Sequence, residues 1–417
     1  MKKSYRLLAL LLAFCVLAGF SGCGGAARST DLMKGVVPQT VSASADADTV
    51  RQQNERMTDL AVRLLQACGK SGENTLLSPL SILCALGMTE NGAEGETLDE
   101  MERTLGLTAQ QTNEVLCRLL RDLPQDGDAQ LRPADAIWFK NDASLSVRPA
   151  FLQKNADYLG AEIRAAAFDE GTRREINRWV EKNTDGTIRD LLPELPPQSV
   201  MVLVNALAFA AKWGEPYRKN NITDAVFTTQ DGQKRDARLM WGSEGMLLHG
   251  KNAVGFMKPY AGGRYAFAAL LPDEGVTLDE FVASLDGKAL HAMLSAPDTD
   301  GSARVGIVQF AAEYGTELTD ALRGMGMRRA FDPAQAQFGG IGTAEENICI
   351  GSVIHKTFLR VDANGTKAGA ATAVTMNDGG SALPQETIEL TRPFLYLLVD
   401  VQSGVPFFIG KMADIGA

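Results

Sequence analysis

Histidine is scarce in this 417-residue chain, and the common catalytic motifs are absent. The three histidines are His249, His291 and His355. No HExxH, GxSxG or GxxxxGKS/T pattern occurs, so the usual signatures of zinc peptidases, serine hydrolases and phosphate loops are excluded. His355 lies in a strand-like apolar run, where a lone histidine is usually a hydrogen-bonded core residue. The sequence therefore predicts a protein that is not an enzyme and that uses no metal or cofactor.

Basic charge and metal-binding cysteine patterns are also lacking. The chain has 51 acidic and 41 basic residues, which gives a formal net charge of −10. No basic cluster with interleaved aromatic residues occurs, which argues against nucleic acid as a partner. Four cysteines lie in apolar contexts without metal-ligand spacing: Cys68, Cys84, Cys117 and Cys349. These are predicted to be buried thiols rather than a disulfide framework.

A long hydrophobic run lies at the N-terminus, in residues 7–20, after Lys2, Lys3 and Arg6. Fourteen residues are too few to span a bilayer comfortably, and a basic start before such a run is typical of a signal peptide. The run is followed by FSGC, which ends at Cys23 and resembles the bacterial lipobox, in which the cysteine is lipidated.

The N-terminal region is accordingly predicted as a signal peptide over residues 1–22 and a lipidated Cys23 followed by a flexible tether to residue 48. The tether is rich in Ala, Ser, Thr and Asp, a composition that favours flexibility. We expect export, with the protein held at the cell surface by a membrane lipid anchor or released outside the cell. Phe20 stands where the lipobox usually has Leu, and the alternative is an ordinary signal peptide with an incidental cysteine.

Residues 49–417 contain no second linker, repeat or low-complexity block and are predicted to form one domain. Ser78 and Pro79 give the start signal of a helix. An earlier helix is indicated by apolar residues on one helical face: Met57, Leu60, Ala61, Leu64, Leu65 and Cys68. Strand-like runs cover residues 200–213, 265–272, 303–314 and 348–362. Helical segments lie mainly early in the chain and strand-like segments mainly late, an order that predicts an α+β fold with mainly antiparallel sheets.

Between Gly365 and Ala373 nearly every side chain is small, although proline is absent. This stretch follows a strand-like run and precedes a glycine-rich segment. A flexible linker would explain the small side chains but not the strand-forming Thr372, Val374 and Thr375.

Six segments with motifs such as GAEGET and HKTFLRVDANGTKAGAATAV together resemble one family, the serpins. The segments lie in chain order at residues 74–101, 176–194, 203–217, 314–341, 353–374 and 392–412. The resemblance implies a single α+β domain with three mainly antiparallel sheets, about nine helices and an exposed reactive loop over residues 363–390. It also implies a monomer. The loop would act as bait for a serine or cysteine protease, and after it is cut it would insert into the largest sheet while the protease stays covalently bound. The inhibitor is thereby consumed and the protease irreversibly inactivated.

The resemblance assigns the hinge of this loop to Gly365, Thr366, Ala368, Gly369, Ala370, Ala371 and Thr372. In the family register, alternate residues face the core: Thr366, Ala368, Ala370, Thr372, Val374 and Met376. None of these is charged or proline, and the charge of Lys367 takes an outward position. The hinge therefore favours an inhibitory member over a non-inhibitory serpin that acts as a binding protein, and over a surface solute-binding lipoprotein.

The resemblance also assigns residues that support loop insertion, each by its own match to a family position. Ser78, Ser81, Asn205 and His355 match the shutter, a polar cluster beneath the central strands, and Trp213 matches the breach, where the loop first enters. In this chain Ala363 stands where the family usually has Glu. The resemblance therefore implies that a salt bridge at the base of the loop is missing.

The bond that is cut is predicted from family spacing. Counting from Gly365 gives Gly379–Gly380, whereas counting back from Pro393 gives Ala382. Glycine or alanine suits the shallow pocket of an elastase-like protease. Met376 or Leu383 would instead suit chymotrypsin-like or subtilisin-like targets.

Overall fold

The computed structural model describes residues 29–41, 45–121, 123, 129–195, 198–366 and 386–416. Nine α-helices occur in these residues: α1 Ala47–Cys68, α2 Pro79–Glu90, α3 Gly95–Leu105, α4 Ala109–Arg121, α5 Pro149–Leu159, α6 Glu170–Asn183, α7 Leu278–Ser284, α8 Gly287–Ser295 and α9 Thr319–Gly324. None of the described helices has the length and apolarity needed to cross a bilayer.

The strands are numbered in chain order. They are β1 Thr30–Asp31, β2 Thr75–Leu77, β3 Ala129–Lys140, β4 Ser146–Val147, β5 Glu162–Ala166, β6 Met201–Lys212, β7 Ile222–Thr228, β8 Lys234–Glu244, β9 Met246–Gly250, β10 Ala253–Pro259, β11 Tyr265–Pro272, β12 Ala303–Val308, β13 Phe310–Glu317, β14 Gly342–Thr343, β15 Ile350–Asp362, β16 Gly365–Thr366, β17 Glu386–Glu389, β18 Phe394–Asp400 and β19 Val405–Met412.

The strands form three principal sheets and one two-stranded pair. The largest sheet has the order β1-β5-β3-β6-β16-β15-β13, the second β2-β19-β18-β11-β10-β9, and the third β17-β12-β8-β7. Most pairs are antiparallel, but β6 and β15 run parallel at the centre of the largest sheet. The predicted α+β class with three mainly antiparallel sheets and about nine helices is confirmed.

Helix α2 lies at the centre of the molecule because its sequence is apolar on every side. All twelve residues are buried, and the Ser78 hydroxyl accepts a hydrogen bond from Ser81 N at 3.2 Å, as the cap signal predicted. Helix α1 is instead amphipathic and buries Met57, Leu60 and Leu64. Together with the inner face of the largest sheet, these helices enclose the main core.

The outer face of the largest sheet is covered by α6 and the chain that follows it. Ile176 and Val180 of α6 pack with Leu191 and Leu192 on β3 and β6 in a second buried cluster. Alternate residues of the central strands therefore face two apolar layers, so any strand added here would be buried on both sides.

Two sequence-based expectations differ from the structure. The strand-like run at residues 303–314 forms parts of two strands, β12 and β13, which belong to different sheets. The strand is interrupted at Gln309, whose N–H donates to Arg238 O at 2.9 Å. Part of the predicted tether is packed rather than free. Thr30 and Asp31 pair with β5, and Gln39 N donates to the Asp157 carboxylate at 2.7 Å.

Candidate functional site: the opening between two central strands

The candidate site is the place where β6 and β15 part. Their parallel pairing runs as far as Ala208 and Phe358. Three residues further along each strand, the short strand β16 lies between them, with Thr366 opposite both Ala211 and Val361. We call this upper end of β6 and β15 the sheet opening. It holds the first two residues of the predicted hinge, which run antiparallel to both neighbours.

Gly365 and Thr366 are each suited to this place. Gly365 has φ +154°, and a Cβ there would lie 2.0 Å from Ala211 O, so only glycine fits between the strands. Thr366 is fully buried, and its Oγ1 lies 2.6 Å from the Tyr260 hydroxyl. Thr366 thus faces the main core, on the parity that the sequence predicted. Its function in insertion remains a prediction.

The turn that leads into the opening is held by its backbone. Trp213 Nε1 donates to Asp362 O at 2.8 Å, and Trp213 N donates to Asn364 O at 2.9 Å. Tyr217 N donates to Ala363 O at 2.9 Å. Alanine at 363 has no side chain that could form the ion pair expected of a glutamate, so these three hydrogen bonds fix the base of the loop instead.

A stack of aromatic rings and one buried ion pair support Trp213. Its ring lies parallel to that of Tyr260 with centroids 4.6 Å apart. Lys258 Nζ lies 4.7 Å from the Tyr217 ring centroid and 2.8 Å from the Glu244 carboxylate. The buried lysine therefore has both an anion and a ring face as partners, which offsets its loss of hydration. Sequence reasoning identified Trp213 but missed Tyr260, Lys258 and Glu244.

The four predicted shutter residues meet below the opening. Ser78 N donates to His355 Nε2 at 3.1 Å, so Nδ1 carries the proton and donates to the Asn205 side-chain oxygen. Complete burial lowers the pKa of His355 to about 3, which keeps the ring neutral. Ser81 lies beside them, and its hydroxyl donates to Asp135 at 2.8 Å.

Asp135 is a member of this cluster that sequence reasoning missed. It lies on β3 directly opposite Asn205 of β6, which in turn lies opposite His355 of β15. Burial raises the pKa of Asp135 to about 8, while hydrogen bonds from Ser81 and Cys84 act in the opposite direction. The signal available in the sequence was a single acidic residue directly before the apolar run AIWF at residues 136–139.

Replacing Asp135 by Asn should reduce the pH dependence of stability. A carboxyl whose pKa rises from 3.8 to about 8 on folding contributes stability below pH 4 that is lost as the pH rises through 8. Between pH 5 and pH 8 the wild type should lose up to about 4 kcal/mol more than Asp135→Asn. Thermal midpoints at a fixed scan rate measure this. Glu90, another buried carboxyl whose pKa burial raises to about 8, is unchanged in both proteins. Equal midpoint shifts in the two proteins would contradict the assignment.

Several predicted residues lie outside the described part of the chain. They are Cys23, Ala368, Gly369, Ala370, Ala371, Thr372, Met376, Gly379, Gly380, Ala382 and Leu383. Their assignments stay predictions. Within the described residues, no group of three or more His, Cys, Asp or Glu side chains is placed to hold a metal ion.

The fold and the sheet opening define a protein whose central sheet already accommodates the start of an additional strand. Residues 55–415 match the family model described as Serpin (serine protease inhibitor). The chain is 30% identical over 358 residues to an uncharacterised serpin-like protein of Thermococcus kodakarensis, covering 82% of this chain and 81% of that protein. It is 29% identical over 368 residues to Serpin B9 of Homo sapiens, covering 85% and 97% of the two chains. The chain belongs to the serpin family.

Solved structures give the same result. The crystal structure of the thermophilic serpin tengpin in the native state superposes with a TM-score of 0.87 at 34% identity, covering 93% of this chain and all of that one. Tengpin in the latent state gives a TM-score of 0.77 at 33% identity. The fold described above is thus more similar to the native than to the latent tengpin structure.

Proposed function

We propose that this protein is an irreversible suicide-substrate inhibitor of serine endopeptidases, and that it acts by inserting its cleaved loop into the largest sheet. Serpins generally inhibit serine proteases rather than acting as enzymes, and some are non-inhibitory. The observation that carries the proposal is the sheet opening. There, Gly365 and Thr366 already pair with both β6 and β15 as a new strand would.

The chemistry of the trap follows from proteolysis. The protease nucleophile attacks the carbonyl of the bait bond, which we place at Gly379–Gly380, and forms an ester while the amine of Gly380 leaves. The loop on the N-terminal side of the cut is then free to move, with the protease attached to its end. If it inserts before water hydrolyses the ester, the protease is carried along and remains acylated.

Insertion requires β6 and β15 to separate by about one strand spacing, roughly 4.8 Å. The hydrogen bond between His355 and Asn205 joins these two strands directly and must break. From Thr366 onward, every second residue of the entering strand would face the main core, and through Met376 none of these residues is charged. The only basic hinge residue, Lys367, takes the opposite parity.

The free energy available is large enough to drive the process. About ten new backbone hydrogen bonds at a net ~1 kcal/mol each give roughly 10 kcal/mol. This is comparable to the entire stability of an ordinary domain. The native state would therefore be metastable, a behaviour for which serpin loop insertion is a standard example.

Incubation with pancreatic elastase tests the proposal, because glycine at the cut suits a shallow specificity pocket. An inhibitor forms a complex with the protease that survives denaturing electrophoresis, and mass spectrometry of the released C-terminal peptide gives the cut bond. Clean cleavage without a complex, with elastase and also with chymotrypsin and subtilisin, would contradict an inhibitory function and favour a binding protein. Resistance of the loop to all three would favour the solute-binding alternative.

We also propose that the protein is exported and held at the cell surface through a lipid on Cys23. Cys23→Ser removes the sulfur that would carry the lipid and should release most of the protein from the membrane fraction. Ser21→Thr changes the same segment without removing the thiol and should remain bound. Fractionation with metabolic fatty-acid labelling measures both. A wild-type protein that is already soluble and unlabelled would contradict the anchor.

A further inference from the structure

A cavity of about 850 Å³ lies on the outer face of the largest sheet and extends from Ala311, beside the sheet opening, to Glu317 and Ser352 at the lower ends of β13 and β15. One wall is formed by residues 190–194, the chain that follows α6, and the other by outward side chains of β13 and β15. We call residues 188–195 the cover segment. The volume lies within the range of small-molecule sites, which are commonly between 300 and 1,000 Å³.

The lining combines apolar surface with an excess of negative charge. Pro193, Ile354 and Phe358 contribute apolar surface. The charged groups in the lining are four carboxylates and one ammonium, those of Asp190, Glu194, Glu313, Glu317 and Lys356. The ammonium of Lys356 already pairs with Glu313 at 2.7 Å and donates to Arg189 O at 2.7 Å. The guanidinium groups of Arg189 and Arg173, which lie at the cover segment, pair with Glu181 at 3.0 Å and Glu170 at 2.8 Å. The lining therefore keeps an excess of carboxylates and a negative potential.

A buried hydroxyl in the same lining lacks a partner. Ser352 is only 5% exposed, and among the described residues nothing hydrogen-bonds to its Oγ. Buried polar groups in proteins are nearly always satisfied, so this hydroxyl is available to a ligand that enters the cavity. A hydroxyl oxygen can accept a hydrogen bond from an ammonium group.

The two walls belong to parts of the protein that must move apart during loop insertion. The cover segment packs mainly on β3 and β6, since Leu191 and Leu192 are buried in one cluster with Val202 and Val204. Its contacts with β15 are made at the partly buried edge of that cluster and by the hydrogen bond from Lys356 to Arg189 O. The opposite wall belongs to β13 and β15, which lie on the other side of the sheet opening. A ligand that contacts both walls would resist the shift of roughly one strand spacing that a new strand imposes.

We infer that this cavity binds a small amphipathic organic cation, an ammonium group attached to an apolar body, and that the bound cation slows insertion of the loop. The ammonium is placed toward the Asp190 and Glu194 carboxylates and the apolar body against Ile354 and Phe358. The effect on insertion rests on the proposed function, whereas binding itself does not.

Binding is tested by calorimetry on the intact, uncleaved protein with 4-phenylbutylammonium as the probe and 4-phenylbutanol as its neutral analogue. The ammonium should bind at least tenfold more tightly than the alcohol. The double variant Asp190→Asn/Glu194→Gln should weaken ammonium binding at least tenfold, and Ala311→Trp, which fills the cavity from an exposed position on β13, should abolish it. The control Glu73→Gln/Asp236→Asn makes the same change in net charge at exposed positions outside the cavity and should leave binding unchanged.

Coupling to insertion is tested by measuring the moles of inhibitor consumed per mole of protease inactivated, with and without saturating probe. The number should rise at least threefold in the wild type and stay constant in Ala311→Trp, while protease activity on a small substrate is unaffected by the probe.

Absence of binding, or equal binding of the alcohol, would overturn the site. Binding without any change in consumption would overturn the coupling. A wild type that never forms the covalent complex would contradict the proposed function. The calorimetric test of binding would still decide whether the cavity binds the cation.

Discussion

Thr366→Arg is expected to convert the protein from an inhibitor into a substrate. Thr366 is fully buried at the sheet opening, where its hydroxyl meets that of Tyr260. An arginine here would bring an unpaired charge toward the main core, at a penalty of about 3 kcal/mol or more. The arginine should therefore drive β16 out of the sheet in the uncut protein, so that its burial becomes the first step of insertion, whereas hydrolysis of the acyl bond is unaffected. Since 1.4 kcal/mol is a factor of ten in rate, the moles of inhibitor consumed per mole of protease inactivated should rise more than tenfold.

The matched control is Lys367→Glu, one residue further along and predicted on the outward parity. This variant also changes a charge at the hinge, yet it should inhibit almost as well as the wild type. Both variants should fold, because β16 is only two residues long and its departure from the sheet removes few core contacts beyond the hydrogen bond between Thr366 and Tyr260. Thermal midpoints of the uncut proteins check folding, and the released peptide checks that the same bond is cut. Efficient inhibition by Thr366→Arg, or greater damage from Lys367→Glu, would contradict the proposed register.

Cleavage within residues 376–383 should raise the thermal midpoint by on the order of 20 °C. The estimate takes roughly 10 kcal/mol from the new strand and a shift of about 2 °C per kcal/mol for a large domain. The added strand would lie between β6 and β15, with one apolar layer on each side of the sheet. Calorimetry of the cut and uncut protein at one scan rate measures the difference.

The hinge variant supplies the control for this prediction as well. Cut Thr366→Arg should gain much less than the cut wild type, because the chain cannot bury the arginine while pairing along the full length of β6. A cut wild type with an unchanged midpoint would mean that no strand is added. An equal gain in both proteins would mean that the stabilisation arises away from the sheet opening.

Local patterns in the sequence were sufficient for much of the fold. Ser78 caps α2 as its position before Pro79 predicted, and one face of α1 is buried as the spacing of Met57, Leu60 and Leu64 predicted. These features depend on residues within about one helical turn, so the sequence order alone specifies them. The run of small side chains after Gly365 was equally visible, since side-chain size is a property of a single segment. Its ability to insert as a strand stays a prediction.

The polar contacts of the site were decided only by the tertiary structure. Asp135 meets Ser81 across 54 positions, and Tyr260 meets Thr366 across 106. No local pattern distinguishes a partly buried carboxyl beneath the central strands from a surface one. The pairing becomes apparent only when β3, β6 and β15 lie side by side and bring Asp135, Asn205 and His355 into one row.

The two strands within residues 303–314 and the packed residues 29–41 have the same explanation. A continuous apolar run does not reveal that its halves pair with different sheets, and a polar segment does not reveal a free strand edge that it can join. Local chemistry in the sequence determined the helices and the cap, and it indicated the segment of small residues that begins at Gly365. The tertiary structure decided which strand edges those segments meet, because hydrogen bonding between strands depends on what is adjacent in space rather than along the chain.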